Sequence, residues 1–196
     1  MRLVVGMTGA TGAVIGIRLL EALRVQHVET HLVLSQWAQA TIEMETDYSV
    51  RDVRELATRT YGPKDQTAAI SSGSFPTDGM VVVPCSMKTL AAIRTGYGEG
   101  LIARAADVTI KERRRLVLVP RETPLSEIHL DNMLALSRMG TSIVPPMPAF
   151  YHRPESVDEI VGHIVFRVLD QFGLKSPEAR RWTGPPARSN GMPLER

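Results

Sequence analysis

Three features of the sequence predict an α/β fold in which one parallel sheet carries helices on both faces. Short apolar runs recur at Leu3–Gly6, Thr30–Leu34, Met80–Val83, Leu116–Val119 and Thr141–Val144. They alternate with stretches of helical periodicity, so right-handed crossovers and a parallel sheet are expected. The first run passes through Gly6, Gly9 and Gly12 straight into a helix, the strand–turn–helix start of a doubly wound domain.

The first helix covers about Ala13 to Val25. It is apolar almost all round, with Arg18, Glu21 and Arg24 as its polar stripe, and Gly12 and Gly16 permit close packing on a sheet. The turn ahead of it reads G-x-x-G-x-x-G, neither the G-x-G-x-x-G dinucleotide fingerprint nor a Walker A loop. Free N–H groups and the helix dipole favour an anion there, so a phosphate is expected, with a ligand-free tight turn as the alternative. The second strand ends at Ser35, where a nicotinamide-binding domain usually carries an acid for the ribose. A mononucleotide therefore fits better than NAD, and Ser35 offers a hydroxyl for a phosphate or a helix cap.

Helices are expected at Gln36–Thr46, ending among Glu43, Glu45 and Asp47, and at Ser49–Tyr61, with Ser49 as N-cap and Asp52 three residues on. Residues 62–79 are rich in turn formers and long for a plain connection. Pro84 stops the third strand, and Ser86 caps a helix reaching Arg94; its first turn with the Ser86 and Thr89 hydroxyls makes a second anion or polar-ring site. Cys85 has no base beside it and reads as a small buried thiol.

A helix at Glu99–Arg114 places Arg104 and Lys111, seven residues apart, on one face. The fourth strand ends in Pro120-Arg121-Glu122-Thr123-Pro124, where an arginine can hold an anion while a carboxylate moves a proton. Ser126–Met139 is a helix stopped by Gly140, and the fifth strand leads into Pro145–Pro154, whose four prolines stiffen the loop around Phe150, Tyr151 and His152. Ser156 and Glu159 form a capping box before a last helix with the stripe Val157, Ile160, Val161, Ile164, Val165, Val168 and Leu169; Arg167 sits beside that stripe. These elements make one domain over residues 1–175. The tail, 176–196, lacks periodicity and is expected to be mobile except around Trp182.

A chain of 196 residues with 43% hydrophobic and 22% charged residues is ordinary for a globular domain. The net charge of +2 argues for neither nucleic acid nor an anionic membrane. No apolar run approaches the roughly 18 residues of a membrane span, the N-terminus lacks a signal peptide, and the single cysteine excludes an internal disulfide and a zinc cluster. A cytoplasmic protein is expected.

In a parallel sheet the C-terminal strand ends share one edge, where such sheets bind ligands. Thr8-Gly9-Ala10-Thr11, Ser35, Ser86 to Thr89, Arg121-Glu122 and the Phe150-Tyr151 loop are expected to converge there, a set suited to a phosphorylated planar cofactor. No HExxH, triad spacing, Walker B or CxxC motif is present.

GMTGATGAVIGIRLL, ETD at Glu45 to Asp47, PCSMKTLAAI, ERRRLVLVPRETPLSEIHLDNM and the AFYHRP loop together resemble the UbiX-type flavin prenyltransferases, once described as aromatic acid decarboxylases. The resemblance runs from about Leu3 to Trp182. It implies a single Rossmann-like (flavodoxin-like) domain and metal-independent transfer of a dimethylallyl group from dimethylallyl monophosphate to reduced FMN. The product, prenylated FMN, would serve a separate UbiD-type decarboxylase, and the family commonly assembles as homododecamers with sites at subunit boundaries. Carried over by position, Gly9, Ala10, Thr11, Ser35, Ser86, Met87, Lys88, Thr89 and Arg121 would hold FMN. Arg104, Lys111, Arg121, Tyr151 and Arg167 would grip the prenyl phosphate, and Trp182 matches an aromatic at the family's site. Glu122 would transfer the proton, and Glu45 would place substrate and manage charge. Many members carry serine at the position of Thr11 and glycine at that of Lys88; the threonine keeps the hydroxyl, and the lysine adds a cation.

Two other readings compete. A direct flavin-dependent decarboxylase would share the fold, but the PxMNxxMW-type signature of the cysteine decarboxylases is replaced here by PCSMKTL. A non-catalytic FMN carrier subunit would have no need of paired acids and four cations.

Overall fold

The computed structural model describes residues 1–176 and 181–184. Six parallel strands, β1 (Arg2–Met7), β2 (Glu29–Leu34), β3 (Arg59–Tyr61), β4 (Gly79–Cys85), β5 (Arg115–Pro120) and β6 (Ser142–Ile143), lie in the order β3-β2-β1-β4-β5-β6. The chain winds outward from β1 in one direction and from β4 in the other. The switch point between β1 and β4 is where sheets of this kind open a crevice at their C-terminal ends. Without the short edge strand β3, the five strands expected from sequence stand in the flavodoxin order.

Among the described residues, seven α-helices cover the sheet: α1 (Ala13–Val25), α2 (Gln36–Glu45), α3 (Val50–Glu55), α4 (Met87–Thr95), α5 (Leu101–Lys111), α6 (Glu127–Arg138) and α7 (Val157–Asp170). Alternating strand residues feed two cores. Leu3, Val5, Met7, Val81, Val83, Val117 and Val119 pack against α1 and α7, whereas Val4, Met80, Val82, Leu116 and Leu118 pack against α4 and α5. Gly16 is needed where α1 crosses the sheet, because a Cβ there would stand 2.7 Å from both Val83 O and Met7 Cε. The α7 stripe is buried at Val161, Ile164, Val165, Val168 and Leu169, but its expected first member, Val157, is exposed.

The helix expected over Ser49–Tyr61 is shorter. Ser49 and Asp52 form the capping box, yet the helix ends at Glu55 and Arg59–Tyr61 becomes β3. Long-range pairing overrides the local pattern. Thr30 and Thr58 exchange backbone-to-hydroxyl hydrogen bonds of 3.1 Å in both directions, which sets His31 opposite Arg59 in the parallel ladder. Residues 62–79 are a built connection: a 3₁₀ turn at Ala69–Ser71 buries Ile70, and Arg114 donates to Gly73 O and Phe75 O.

His31 is buried on β2 between Tyr61 Oη, 2.8 Å from Nδ1, and Glu29 Oε1, 3.0 Å from Nε2. Neutral imidazole satisfies both, donating from Nε2 and accepting at Nδ1. Burial pushes its pKa below 6.5, against the pull of Glu29. Below that value the unfolded chain binds a proton that the folded chain refuses, so the His31 contribution is complete above about pH 6.5 and is lost as pH falls toward the folded value. Urea unfolding from about pH 7.5 down to about pH 5.5 is expected to show a steeper loss of stability for the wild type than for His31→Gln, which does not titrate.

Candidate active site

The strand ends are sewn together beyond the sheet proper. Ser35 N–H donates to Met7 O at 3.0 Å, and Thr8 N–H to Pro84 O at 3.2 Å. The buried Thr8 hydroxyl donates to Pro84 O and accepts from Ser86 N–H, both at 2.8 Å. Arg121 N–H donates to Cys85 O at 3.2 Å. Ser35, Thr8, Ser86 and Arg121 thus stand in a row across β2, β1, β4 and β5 at the switch point. Thr8 carried no signal in the sequence beyond its place beside Gly9, because its role depends on β4 lying next to β1.

Each turn in the row launches a helix. Ser35 Oγ accepts from Ala38 N–H at 3.0 Å, capping α2, and Ser86 Oγ accepts from Thr89 N–H at 3.3 Å, capping α4. Gly9, Thr11, Lys88, Arg121 and Glu122 are exposed along the row, while Ala10 and Met87 are half-buried. A Cβ on Gly9 would collide with Trp37 Cβ at the start of α2, so only glycine lets the turn pass this close to that helix. Ala10 N–H is used within the turn, donating to Thr8 O at 2.9 Å. Cys85 is fully buried and its thiol is pushed up to about 12 by desolvation, which fits the inert reading.

The anion expected at the N-terminus of α1 is a side chain of the protein itself. Glu45 Oε2 accepts from Gly12 N–H at 2.8 Å and Ala13 N–H at 3.1 Å. Desolvation pushes its pKa up, but the Thr11 hydroxyl, these two N–H groups and nearby Arg121 outweigh it, so the carboxyl sits below the ordinary carboxylate range. Glu45 ends α2, where an acid opposes the dipole, and begins α1, where it is favoured.

The cations do not all meet at this row within one chain. Arg104 on α5 donates to Ser71 O at 3.1 Å and pairs with Asp107 at 2.8 Å. Lys111 ends α5, pairs with Glu112 and lies against Gly73, just ahead of the start of β5 and so at the opposite edge of the sheet from the row. The two share a face, as expected, and that face meets the connection ahead of β4, Arg104 at Ser71 O and Lys111 beside Gly73.

Arg167, Tyr151 and Trp182 form a second cluster. Arg167 lines a groove of about 510 Å³ with Ser137, Thr141–Val144 and His163, along the β6 edge. Tyr151 Oη lies 2.9 Å from His163 Nε2, and the Tyr151 and Trp182 rings meet edge to face with centroids 5.6 Å apart. Arg181 makes a two-pronged ion pair with Asp170, at 2.6 and 2.9 Å, which holds the segment bearing Trp182 against α7. His163, Asp170 and Arg181 were not singled out in the sequence. The rest of the expected tail, residues 177–180 and 185–196, lies outside the described residues.

A family profile described as Flavoprotein matches residues 1–169. A probable UbiX-like flavin prenyltransferase from Streptomyces sp. (strain D7) is 72% identical over 185 residues, covering 94% of this chain and 92% of that one. The dodecameric FMN-dependent UbiX-like decarboxylase from Escherichia coli O157:H7 superposes with a TM-score of 0.93 at 69% identity, over 94% of this chain and all of the other. AnUbiX (PadA1), solved with FMN and dimethylallyl pyrophosphate, gives a TM-score of 0.92 at 58% identity, over 93% and 97% of the two chains. The chain belongs to the UbiX-type flavin prenyltransferases.

For a UbiX-type chain, the Glu45 cap is both a structural and an electrostatic element of the row. Glu45→Ala is expected to destabilise the fold by about 1 kcal/mol at neutral pH, the usual worth of a helix cap. Because the folded carboxyl is depressed, that contribution is present above its ordinary 4.5 and vanishes as pH falls through the folded value. Thermal unfolding of the two proteins should therefore differ at about pH 7 and converge below about pH 4.

Proposed function

We propose that the protein transfers a dimethylallyl group from dimethylallyl monophosphate to reduced FMN, with residues 1–175 as the flavin-binding domain and the tail from 176 contributing Trp182. The observation that carries this reading is the row of tied strand ends at the switch point, with an arginine and a carboxylate adjacent at its β5 end.

The residues fit a flavin mononucleotide. With α1 taken by Glu45, the helix N-termini left on the row are those of α2 and α4; at α4 the Met87 and Lys88 N–H groups, the Ser86 and Thr89 hydroxyls and the exposed Lys88 ammonium suit a phosphate. Gly9, Ala10, Thr11 and Ser35 line the neighbouring turns, and Trp37 adds an aromatic face. Reduced FMN supplies the nucleophilic ring; the protein supplies position and charge.

Breaking the allylic C–O bond sends its electron pair to the departing phosphate. Arg121, Arg104, Lys111, Arg167 and the Tyr151 hydroxyl stabilise that charge, and preorganised stabilisation of this kind is usually the largest catalytic term. The aromatic faces of Tyr151 and Trp182 favour the cationic prenyl unit. Glu122 takes the proton released when the new ring closes, and Glu45, beside Arg121, keeps the flavin end of the site negatively poised. Arg104 and Lys111, engaged on the segment from Ser71 to Gly73, and the Tyr151–Arg167 cluster along the β6 edge would serve sites formed with other copies, in keeping with a homododecamer. The product goes to a UbiD-type decarboxylase in the cytoplasm. Among the described residues no helix is long and apolar enough to cross a membrane.

Anaerobic incubation with reduced FMN and dimethylallyl monophosphate, followed by mass measurement of the extracted flavin, is expected to show one added five-carbon unit. Glu122→Gln should slow that conversion by about 10²–10³-fold while still binding FMN. Bound but unchanged FMN in the wild type would instead favour a flavin carrier or a direct decarboxylase.

A further inference from the structure

The proposed chemistry leaves the pair of histidines behind Tyr151 without a task. His163, on the second turn of α7, stacks on His152 with centroids 4.9 Å apart and planes inclined by 17°. Its edge meets the Tyr151 ring at 5.7 Å and 81°, and its Nε2 lies 2.9 Å from the phenol oxygen. Helix α7 on one side and the His152 ring on another leave the imidazole little freedom to turn.

The protonation state follows from what surrounds the ring. His163 Nδ1 is buried and has no hydrogen-bond partner among the described residues. An orphaned buried N–H is rarer and costlier than an under-used lone pair, so the single proton of the neutral ring belongs on Nε2. The charged and titratable groups facing it are Arg167 and Asp170 from later turns of α7, Glu159 one turn before, His152 and Tyr151 from the loop, and Arg181, whose charge is engaged by Asp170. A second proton would place a cation against Arg167 and the stacked His152. Burial, His152 and Arg167 accordingly depress the His163 pKa, and Asp170 opposes them only in part.

We propose that His163 is a positioning residue for Tyr151: its Nε2–H donates to the phenol oxygen and fixes the direction in which the phenol presents its own O–H to the prenyl phosphate. A phenol oxygen that accepts from one side keeps its proton for another acceptor, whereas the opposite tautomer would consume that proton. The inference rests on the reading of Tyr151 as a substrate-binding residue. It adds a group that never touches substrate yet decides how Tyr151 does.

Two measurements test it. In a two-bond ¹H–¹⁵N spectrum of ¹⁵N-histidine-labelled protein at about pH 7.5, the resonance pair absent from His163→Gln is expected to show a proton on Nε2 alone. A proton on Nδ1, or on both nitrogens, overturns the proposal without reference to activity. In prenyl-transfer kinetics at saturating FMN, His163→Phe is expected to lower kcat/KM for dimethylallyl monophosphate about tenfold with FMN affinity little changed. His163→Gln, whose amide N–H reaches the same point, should recover most of that loss, and His163→Phe should add nothing in a Tyr151→Phe background. Impaired Tyr151→Phe beside an unaffected His163→Phe, or a Gln variant no better than Phe, would overturn the positioning role alone. A Tyr151→Phe variant equal to the wild type would instead remove the substrate role of Tyr151, and the proposal with it.

Discussion

One buried hydroxyl joins the two halves of this fold at the point where they diverge. Thr8 Oγ1 donates to Pro84 O and accepts from Ser86 N–H, so β1 and β4 remain in register for one more step after the sheet has ended. Strands on either side of a switch point are followed by turns that lead away from each other, and past the backbone bond from Thr8 N–H to Pro84 O the ladder no longer keeps those turns level. The Thr8 bridge does, and the Ser35–Met7 and Arg121–Cys85 bonds extend the same row to β2 and β5. A hydroxyl is the smallest side chain able to donate and accept at once, and leaving Ser86 N–H buried without it would cost about 1–3 kcal/mol.

The row also sorts charge. A glycine turn ahead of a helix is a general anion site, and here the Glu45 carboxylate takes the Gly12 and Ala13 N–H groups at the start of α1. The same carboxylate lies close enough to Arg121 to be acidified by it, which couples the two ends of the site. The chain presents its tied turns and Arg121 at the strand ends, with Arg104 and Lys111 on α5 and Arg167 on α7. Arg104 and Lys111 on α5, and Arg167 with Tyr151 beside β6, are anchored by their own local partners.

Much of this was legible in the sequence because it is local. Ser35 and Ser86 cap the helices that their positions implied, the apolar runs became β1, β2, β4, β5 and the edge strand β6, and Arg121 and Glu122 follow β5 as the Pro120–Pro124 segment suggested. What escaped depends on contacts between distant segments. Arg59–Tyr61 is too short to read as a strand until Thr30 and Thr58 clasp it to β2. The role of Glu45 required knowing that α2 ends beside the start of α1, and the spacing of Arg104 and Lys111 gave their shared face but not its direction. His163 lay in an apolar stripe as one polar residue among many, and only the folded loop brought Tyr151 to it.

The central claim, that the Thr8 hydroxyl holds the β1 and β4 turns as one flavin cradle, is tested most directly by FMN affinity. Calorimetry on Thr8→Val and Thr8→Ser, both checked for an intact fold, is expected to show FMN binding weakened by about tenfold or more in the valine variant and close to wild type in the serine variant. Unchanged affinity in a folded Thr8→Val protein would contradict the account, because the two turns would then hold their positions without the bond assigned to them.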